Sequence, residues 1–147
     1  MKFELTIPGK PCGKGRPRFT RNGHAFTPQE TVNYENLVKL CFRQKYPGAE
    51  PIAAKIQIAA VITAYFPIPQ SVSKKKREEM NAWKILPTVK PDTDNIAKCI
   101  LDALNGIAYH DDAQIVALHV RKRYAETPMV DVGIITYEDY RQRYYVP

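Results

Sequence analysis

Along FELTIPG (residues 3–9), Phe3, Leu5 and Ile7 alternate with Glu4 and Thr6, which predicts a half-buried strand closed by Pro8-Gly9. Residues 9–27 carry Gly13, Gly15, Gly23 and several prolines, a pattern too broken for regular structure and read as a loop. Pro28 stands where a helix begins, with Thr27 as its N-cap, and QETVNYENLVKLCFRQKY places Val32, Leu37, Leu40 and Cys41 on one side. Pro47-Gly48 stops it. AAKIQIAAVITAYF (53–66) is rich in Ile, Val and Ala and reads as a central strand, with a helix as the alternative. Residues 67–91 change character: Pro-bounded, basic, weakly helical from Ser73 to Trp83, they look like an insertion or flap.

Asp94 or Thr93 then caps a helix that ends at Asn105-Gly106, with Ile96, Ala97, Ile100, Leu101 and Leu104 as its apolar side. AQIVALHVRKRY (113–124) and MVDVGIITYE (129–138) alternate as two strands joined by AETP, and the tail DYRQRYYVP is short, aromatic and basic. No repeat and no linker argues for a second domain. The expected architecture is a single α+β domain over 1–147, a mixed β-sheet packed with helices.

Composition narrows this picture. The apolar share of 44% is that of a globular chain, not of a disordered tail. No apolar run approaches the ~20 residues that span a bilayer, and MKFELTIPGK lacks the apolar core of a signal peptide. The expectation is a soluble, cytoplasmic protein that does not engage membrane. Cys12, Cys41 and Cys99 are widely spaced, and His24, His110 and His119 show no metal-ligand spacing, so disulfides and zinc are poorly supported. Reduced thiols are expected. The formal charge of +7, from 22 Lys and Arg against 15 Asp and Glu, favours a polyanionic partner.

Against that basic background, KPDTDNIAKCILDALNGIAYHDDAQIV (90–116) gathers five aspartates: Asp92, Asp94, Asp102, Asp111 and Asp112. Asp94, Lys98 and Asp102 fall on one side of the predicted helix, opposite its apolar stripe. Taken singly, each acid has an ordinary explanation as a cap, a turn residue or half of a surface ion pair. Together they do not, because a cap needs one acid and clustered carboxylates repel unless a cation or proton sits among them. Mg²⁺ takes oxygen ligands, usually carboxylates completed by water and substrate phosphate. Acids, a lysine and a basic surface are the parts a metal-dependent phosphodiesterase requires.

PDTDNIAKCILDAL followed by DDAQIV resembles the RusA family of Holliday junction resolvases, endodeoxyribonucleases common in phages and prophages. The family pattern, approximately D-x-D-N-x-x-K-x-x-x-D-x-L then D-D-x-Q-V, runs here as Asp92, Asp94, Asn95, Lys98, Asp102 and Leu104, then Asp111, Asp112, Gln114 and Ile115. Many members also carry a GKGRPR stretch, here Gly13 to Arg18. The resemblance implies a RusA-like fold and a homodimer that makes paired symmetric nicks across a four-way junction with Mg²⁺ or Mn²⁺. It implies Asp92, Asp94 and Asp112 as catalytic, metal-coordinating acids and Lys98 as base or electrostatic helper. Asp111 ranks below Asp112 as a ligand, and Asp102 fits a supporting role. Ile115 replaces the usual Val, and the 67–91 insertion is longer than in compact members.

Lys10, Lys14, Arg16, Arg18 and Arg21 punctuate the 9–27 loop and read as a DNA-contacting arm. Lys74, Lys75 and Lys76 either track DNA or form a solvated helix face. Phe19, Phe26, Trp83 and Tyr109 are candidates for stacking on unpaired bases or for packing. Branched DNA, four-way junctions above all, is the expected partner. Two rivals accompany this reading: a non-catalytic DNA-binding module whose acids are only caps, and a metal-dependent phosphatase acting on small substrates.

Overall fold

The alternation of the first segment survives folding: in β1 (Lys2–Pro8), Phe3, Leu5 and Ile7 are buried, while Glu4 and Thr6 between them are exposed. The computed structural model describes residues 2–145. After β1 come β2 (Arg18–Phe19), β3 (Ala25–Phe26), α1 (Gln29–Lys45), β4 (Ile58–Pro67), α2 (Lys74–Asn81) and α3 (Thr93–Leu104). A 3₁₀ turn (Asp112–Gln114), β5 (Ile115–Ala125), β6 (Met129–Thr136) and α4 (Tyr137–Tyr144) complete the chain. The expected α+β domain with a mixed sheet is what forms.

Four strands make the main sheet in the order β1-β6-β4-β5. β1 and β4 both pair antiparallel with β6, and β4 pairs parallel with β5. A parallel pair needs a crossover, and α2 and α3 lie in the chain that supplies it. The strands expected over 113–124 and 129–138 are therefore consecutive but not neighbours, because β4 lies between them. β4 itself starts at Ile58, later than expected, and is buried along most of its length, as its central place requires.

α1 and α3 pack on one face of the sheet. The whole expected stripe of α3, Ile96, Ala97, Ile100, Leu101 and Leu104, is buried. The stripe expected on α1 is corrected: Thr31, Tyr34, Val38 and Phe42 face inward, while Leu40 is 51% exposed. Apolar residues surround this helix on several sides, so packing against α3 and β1 selects the face. Phe3 meets the rings of Phe42 and Tyr46 edge-on at 4.9 Å each, fixing the helix against the first strand.

Three further differences concern local structure. The 9–27 loop contains the short β2-β3 ladder. Pro28, not Thr27, occupies the N-cap position of α1. The tail forms α4, capped by the Thr136 hydroxyl, which accepts from the Asp139 N–H at 3.4 Å; its last two residues lie outside those described. Among the described residues, no helix is long and apolar enough to cross a membrane.

Candidate active site

Asp92 and Asp94 stand at the start of α3. Asp92 holds the N-cap position, correcting the expected cap at Thr93 or Asp94, yet its side chain makes no capping hydrogen bond. An exposed carboxylate at a helix N-terminus that leaves the backbone amides unserved lacks the ordinary structural reason for being there. Asp94 sits in the first turn, also exposed. Lys98, on the next turn, is turned toward Asp102: its ammonium lies 3.4 Å from Asp102 Oδ2.

Asp102 is half-buried and receives a second cation, Lys14, at 3.2 Å. The Lys14 ammonium also lies 2.5 Å from Glu35 Oε1 of α1. Lys14 thus ties the glycine loop to both helices, and its charge is engaged inside the protein. Burial opposes the charge, but hydrogen bonds to Glu35 and Asp102 outweigh it and hold its pKa above the usual lysine value. The loop backbone is docked as well, the Lys14 N–H donating to the Asn95 carbonyl at 3.0 Å.

The glycines are there for closeness. A Cβ on Gly13 would stand 2.8 Å from Pro91 Cβ and 3.3 Å from Asn95 Cβ. One on Gly15 would stand 2.8 Å from both Pro28 Cγ and Thr31 Oγ1. The loop therefore lies against the start of α3, and the groove beside them is lined by Arg16, Arg18 and Lys90 together with Asp92 and Asn95.

Asp111 and Asp112 follow the C-terminal end of α3, at the 3₁₀ turn. Asp111 caps the 3₁₀ turn, accepting from the Ala113 N–H at 3.2 Å, while Gln114 Oε1 accepts from the Asp111 N–H at 2.9 Å. Gln114 is buried, and its amide donates to the carbonyls of Ala53 at 2.7 Å and Ile56 at 3.1 Å. It locks the aspartate turn to the segment before β4. Tyr109 is fully buried and its hydroxyl donates to the Leu101 carbonyl, tying the same turn to α3. Of the two roles expected for Tyr109, base stacking or packing, its burial selects packing.

Asp111 and Asp112 are adjacent, and each influences the ionisation of the other. The Ala113 N–H, then Asp112, hold Asp111 below the usual carboxylate range. Asp111 in turn pushes Asp112 up, reinforced by burial and Asp102 and opposed by Lys98. Asp112 is therefore within electrostatic reach of Lys98 and Asp102 on α3. Among the described residues no three His, Cys, Asp or Glu groups converge as a metal cluster. The exposed carboxylates nevertheless offer only oxygen donors, which suits a hard cation that commonly takes one or two protein carboxylates and fills its remaining positions with water and phosphate.

Of the other predicted basic residues, Lys10, Arg16, Arg18 and Arg21 are exposed along the loop, and Lys74, Lys75 and Lys76 are exposed on the first turn of α2. Their neighbour Arg77 is anchored to Glu126 by bonds of 2.9 and 3.1 Å. Phe19 and Phe26 stand exposed on the β2-β3 hairpin, while Trp83 has the guanidinium of Arg123 stacked 3.7 Å from its ring centroid. The positioning roles of Glu35, Gln114 and Tyr109 were missed from sequence. Only Gln114, inside the DDAQI motif, carried a signal.

The fold and site define an α+β protein with exposed carboxylates along one helix, bordered by a docked basic loop. Its sequence matches the family model described as Endodeoxyribonuclease RusA over residues 8–135. The chain belongs to the RusA family of endodeoxyribonucleases, which act on Holliday junctions. It is also similar to an uncharacterized protein of Bacillus subtilis (strain 168), YqaN, at 38% identity over 140 residues, covering 90% of this chain and 94% of that protein.

Proposed function

We propose that the chain is a metal-dependent, structure-selective endonuclease that resolves four-way DNA junctions by paired symmetric cleavage. The observation that carries this reading is the groove between the docked glycine loop and the start of α3, lined by Arg16, Arg18 and Lys90 together with Asp92, whose side chain makes no capping bond. Asp92, Asp94 and Asp112, with Asp111 beside it, are the residues that would hold Mg²⁺ or Mn²⁺. When bound, such a cation neutralises phosphate charge and makes water acidic enough to attack near neutral pH. Lys98, steered by Asp102, offers a positive charge to the developing pentavalent phosphate. Arg16 and Arg18 grip the sugar-phosphate backbone, and Gln114 keeps the Asp111-Asp112 turn in place.

A homodimer belongs to this reading, since a junction with near two-fold symmetry is matched by a two-fold pair of sites. β5 is an edge strand, and Val116 and Leu118 near its start are 54% and 50% exposed. Arg121, Lys122 and Arg123 place charge on the far half of that edge. The apolar half is the surface suited to a second copy. Sedimentation of the wild type and of Leu118→Lys tests it: a dimer that becomes monomeric supports the assignment, and a wild-type monomer at micromolar concentration defeats it.

The deciding assay uses labelled four-way, three-way and duplex DNA with and without Mg²⁺. The wild type should nick the four-way substrate only with metal, while Asp94→Asn and Asp112→Asn still bind it without cutting. Normal cutting by both variants would show that the site is misassigned. Binding without cutting by the wild type would establish the non-catalytic module instead.

A further inference from the structure

α1 and α3 cover one face of the sheet. The opposite face carries α4 against β6 and β4 and, beside it, a cavity of about 370 Å³. Across this face runs a polar row with one in-register residue per strand: Thr6, Asp131, Thr63 and Arg121. The Thr6 hydroxyl donates to Asp131 Oδ1 at 2.7 Å, and Arg121 Nε–H donates to Thr63 Oγ1 at 2.9 Å. Thr63 is only 5% exposed. A sheet face that only needed closing would be cheaper to fill with apolar side chains, since each polar group brought inside must find a partner.

The charges in this cavity are unevenly satisfied. Of its acids, Asp131 is engaged by Thr6, and Glu4 is 2.8 Å from Lys2. Its three cations, Lys45, Arg121 and Arg143, form no ion pair within 4.0 Å among the described residues. Only Nε of the Arg121 guanidinium is engaged, by Thr63, which leaves the Nη edge, suited to bidentate grip of a phosphate, without a protein partner among those residues. Two aromatic rings complete the lining, Tyr65 and Tyr144. Tyr144 is itself steadied in an aromatic run, 5.1 Å from Tyr140 and 5.8 Å from His119.

We propose that this cavity is a second binding site, separate from the acidic groove, that takes one nucleotide unit. Its phosphate lies on Arg121, Arg143 and Lys45, and its base lies against Tyr144 and Tyr65. The volume is near the lower end of the ~300–1,000 Å³ that ligand pockets occupy, enough for a single nucleotide and too small for a duplex. The site does not depend on the nuclease reading, because it shares no residue with the acidic constellation. The nucleotide has two possible sources, a free nucleoside monophosphate or one unit of a single strand, and both present the same phosphate and ring.

Calorimetric titration in EDTA, which removes any metal contribution from the acidic groove, tests the proposal with dTMP, inorganic phosphate and a short 5′-phosphorylated oligothymidylate. Saturable dTMP binding is expected, weakened about tenfold or more in Arg121→Met and Arg143→Ala and about fivefold or more in Tyr144→Leu. Asp94→Asn should bind dTMP as the wild type does. Arg143 lies on an exposed helix, so Arg143→Ala decides the matter if Arg121→Met lowers the melting temperature. An oligothymidylate that binds far more tightly than dTMP and competes with it identifies a strand unit, and equal affinity identifies the free nucleotide. The proposal is overturned if dTMP does not saturate, if it binds no better than inorganic phosphate, or if Asp94→Asn abolishes binding while Arg143→Ala leaves it intact.

Discussion

Gly13→Ala is the sharpest single test of how the site is assembled. The added methyl would sit 2.8 Å from Pro91 Cβ and 3.3 Å from Asn95 Cβ, where carbon atoms normally rest about 3.5–4.0 Å apart. Neither partner has a flexible end to swing away: one is a ring carbon, and the other is the first side-chain carbon of a helical residue. Relief requires the loop to move off α3 by roughly an ångström, and overpacking of this kind costs about 1–3 kcal/mol. The docked loop is held by the Lys14 N–H to Asn95 and by the Lys14 pairs with Glu35 and Asp102, so undocking releases all of them together. A cost of that size shifts the docking equilibrium by about 5–150-fold. Metal-dependent cleavage of a four-way junction should fall by up to that factor, while the melting temperature moves by only a few degrees because the core is untouched. Single-turnover cleavage and thermal unfolding, run on the same preparation, read both quantities. A variant that cuts and melts like the wild type would refute both the close approach of the loop to α3 and its role in the site.

Other consequences concern stability and positioning. The Tyr34 hydroxyl is buried without a hydrogen-bond partner among the described residues, so Tyr34→Phe should leave the protein as stable or raise stability by about 1 kcal/mol; a clear loss on chemical denaturation would reveal a partner for it. Gln114→Ala strands the Ala53 and Ile56 carbonyls and the Asp111 N–H, which should cost about 1–3 kcal/mol and reduce cleavage without abolishing junction binding in a gel-shift assay. Wild-type stability and cleavage would show that the turn holds itself. Because the Lys14 pKa is raised on folding, its contribution is fully present below its unfolded value and is lost as pH rises through the folded one. The stability difference between wild type and Lys14→Met should therefore be constant near neutrality and shrink above about pH 10.5; a difference that grows there would contradict the Lys14 assignment.

Whatever depended on local period was readable in the sequence. β1 and α3 follow from alternation and a helical stripe, and the aspartates of 90–116 are adjacent enough in sequence for their concentration to be seen. The face of α1 was not readable, because apolar residues stand on several sides of it and only α3 and β1 select among them. α4 was missed for a related reason: its inner side is a run of tyrosines, Tyr137, Tyr140 and Tyr144, set among charged residues in a short segment. Lys14 and Glu35, 21 residues apart, meet only in three dimensions. Their contact turns a lysine expected on DNA into one that docks the loop. The polar row across the sheet is invisible for the same reason, since each strand contributes one residue and register alone aligns them.

β5 explains how one small domain keeps two oppositely charged surfaces apart. The 3₁₀ turn that begins at Asp112 leads into its first residue, so the acids stand at that end, within electrostatic reach of Lys98 and Asp102. Farther along, alternation sends Arg121 and Arg123 to the face away from α3, where Arg121 bonds Thr63 and Arg123 stacks on Trp83. Had the register slipped by a single residue, Lys122 would have replaced its neighbours on that face, and the row through Thr63 would be broken. The parallel pairing of β5 with the central strand β4 holds that register along nearly its whole length, with one irregularity beside Ile58 at the acidic end. The excess of basic residues is thus not a diffuse coat. Part of it lies on the glycine loop beside the acids and part lines the cavity on the opposite face, so charge reversal at Arg16 or Arg18 should weaken junction binding while leaving nucleotide binding at the cavity unchanged, and charge reversal at Arg143 should do the converse.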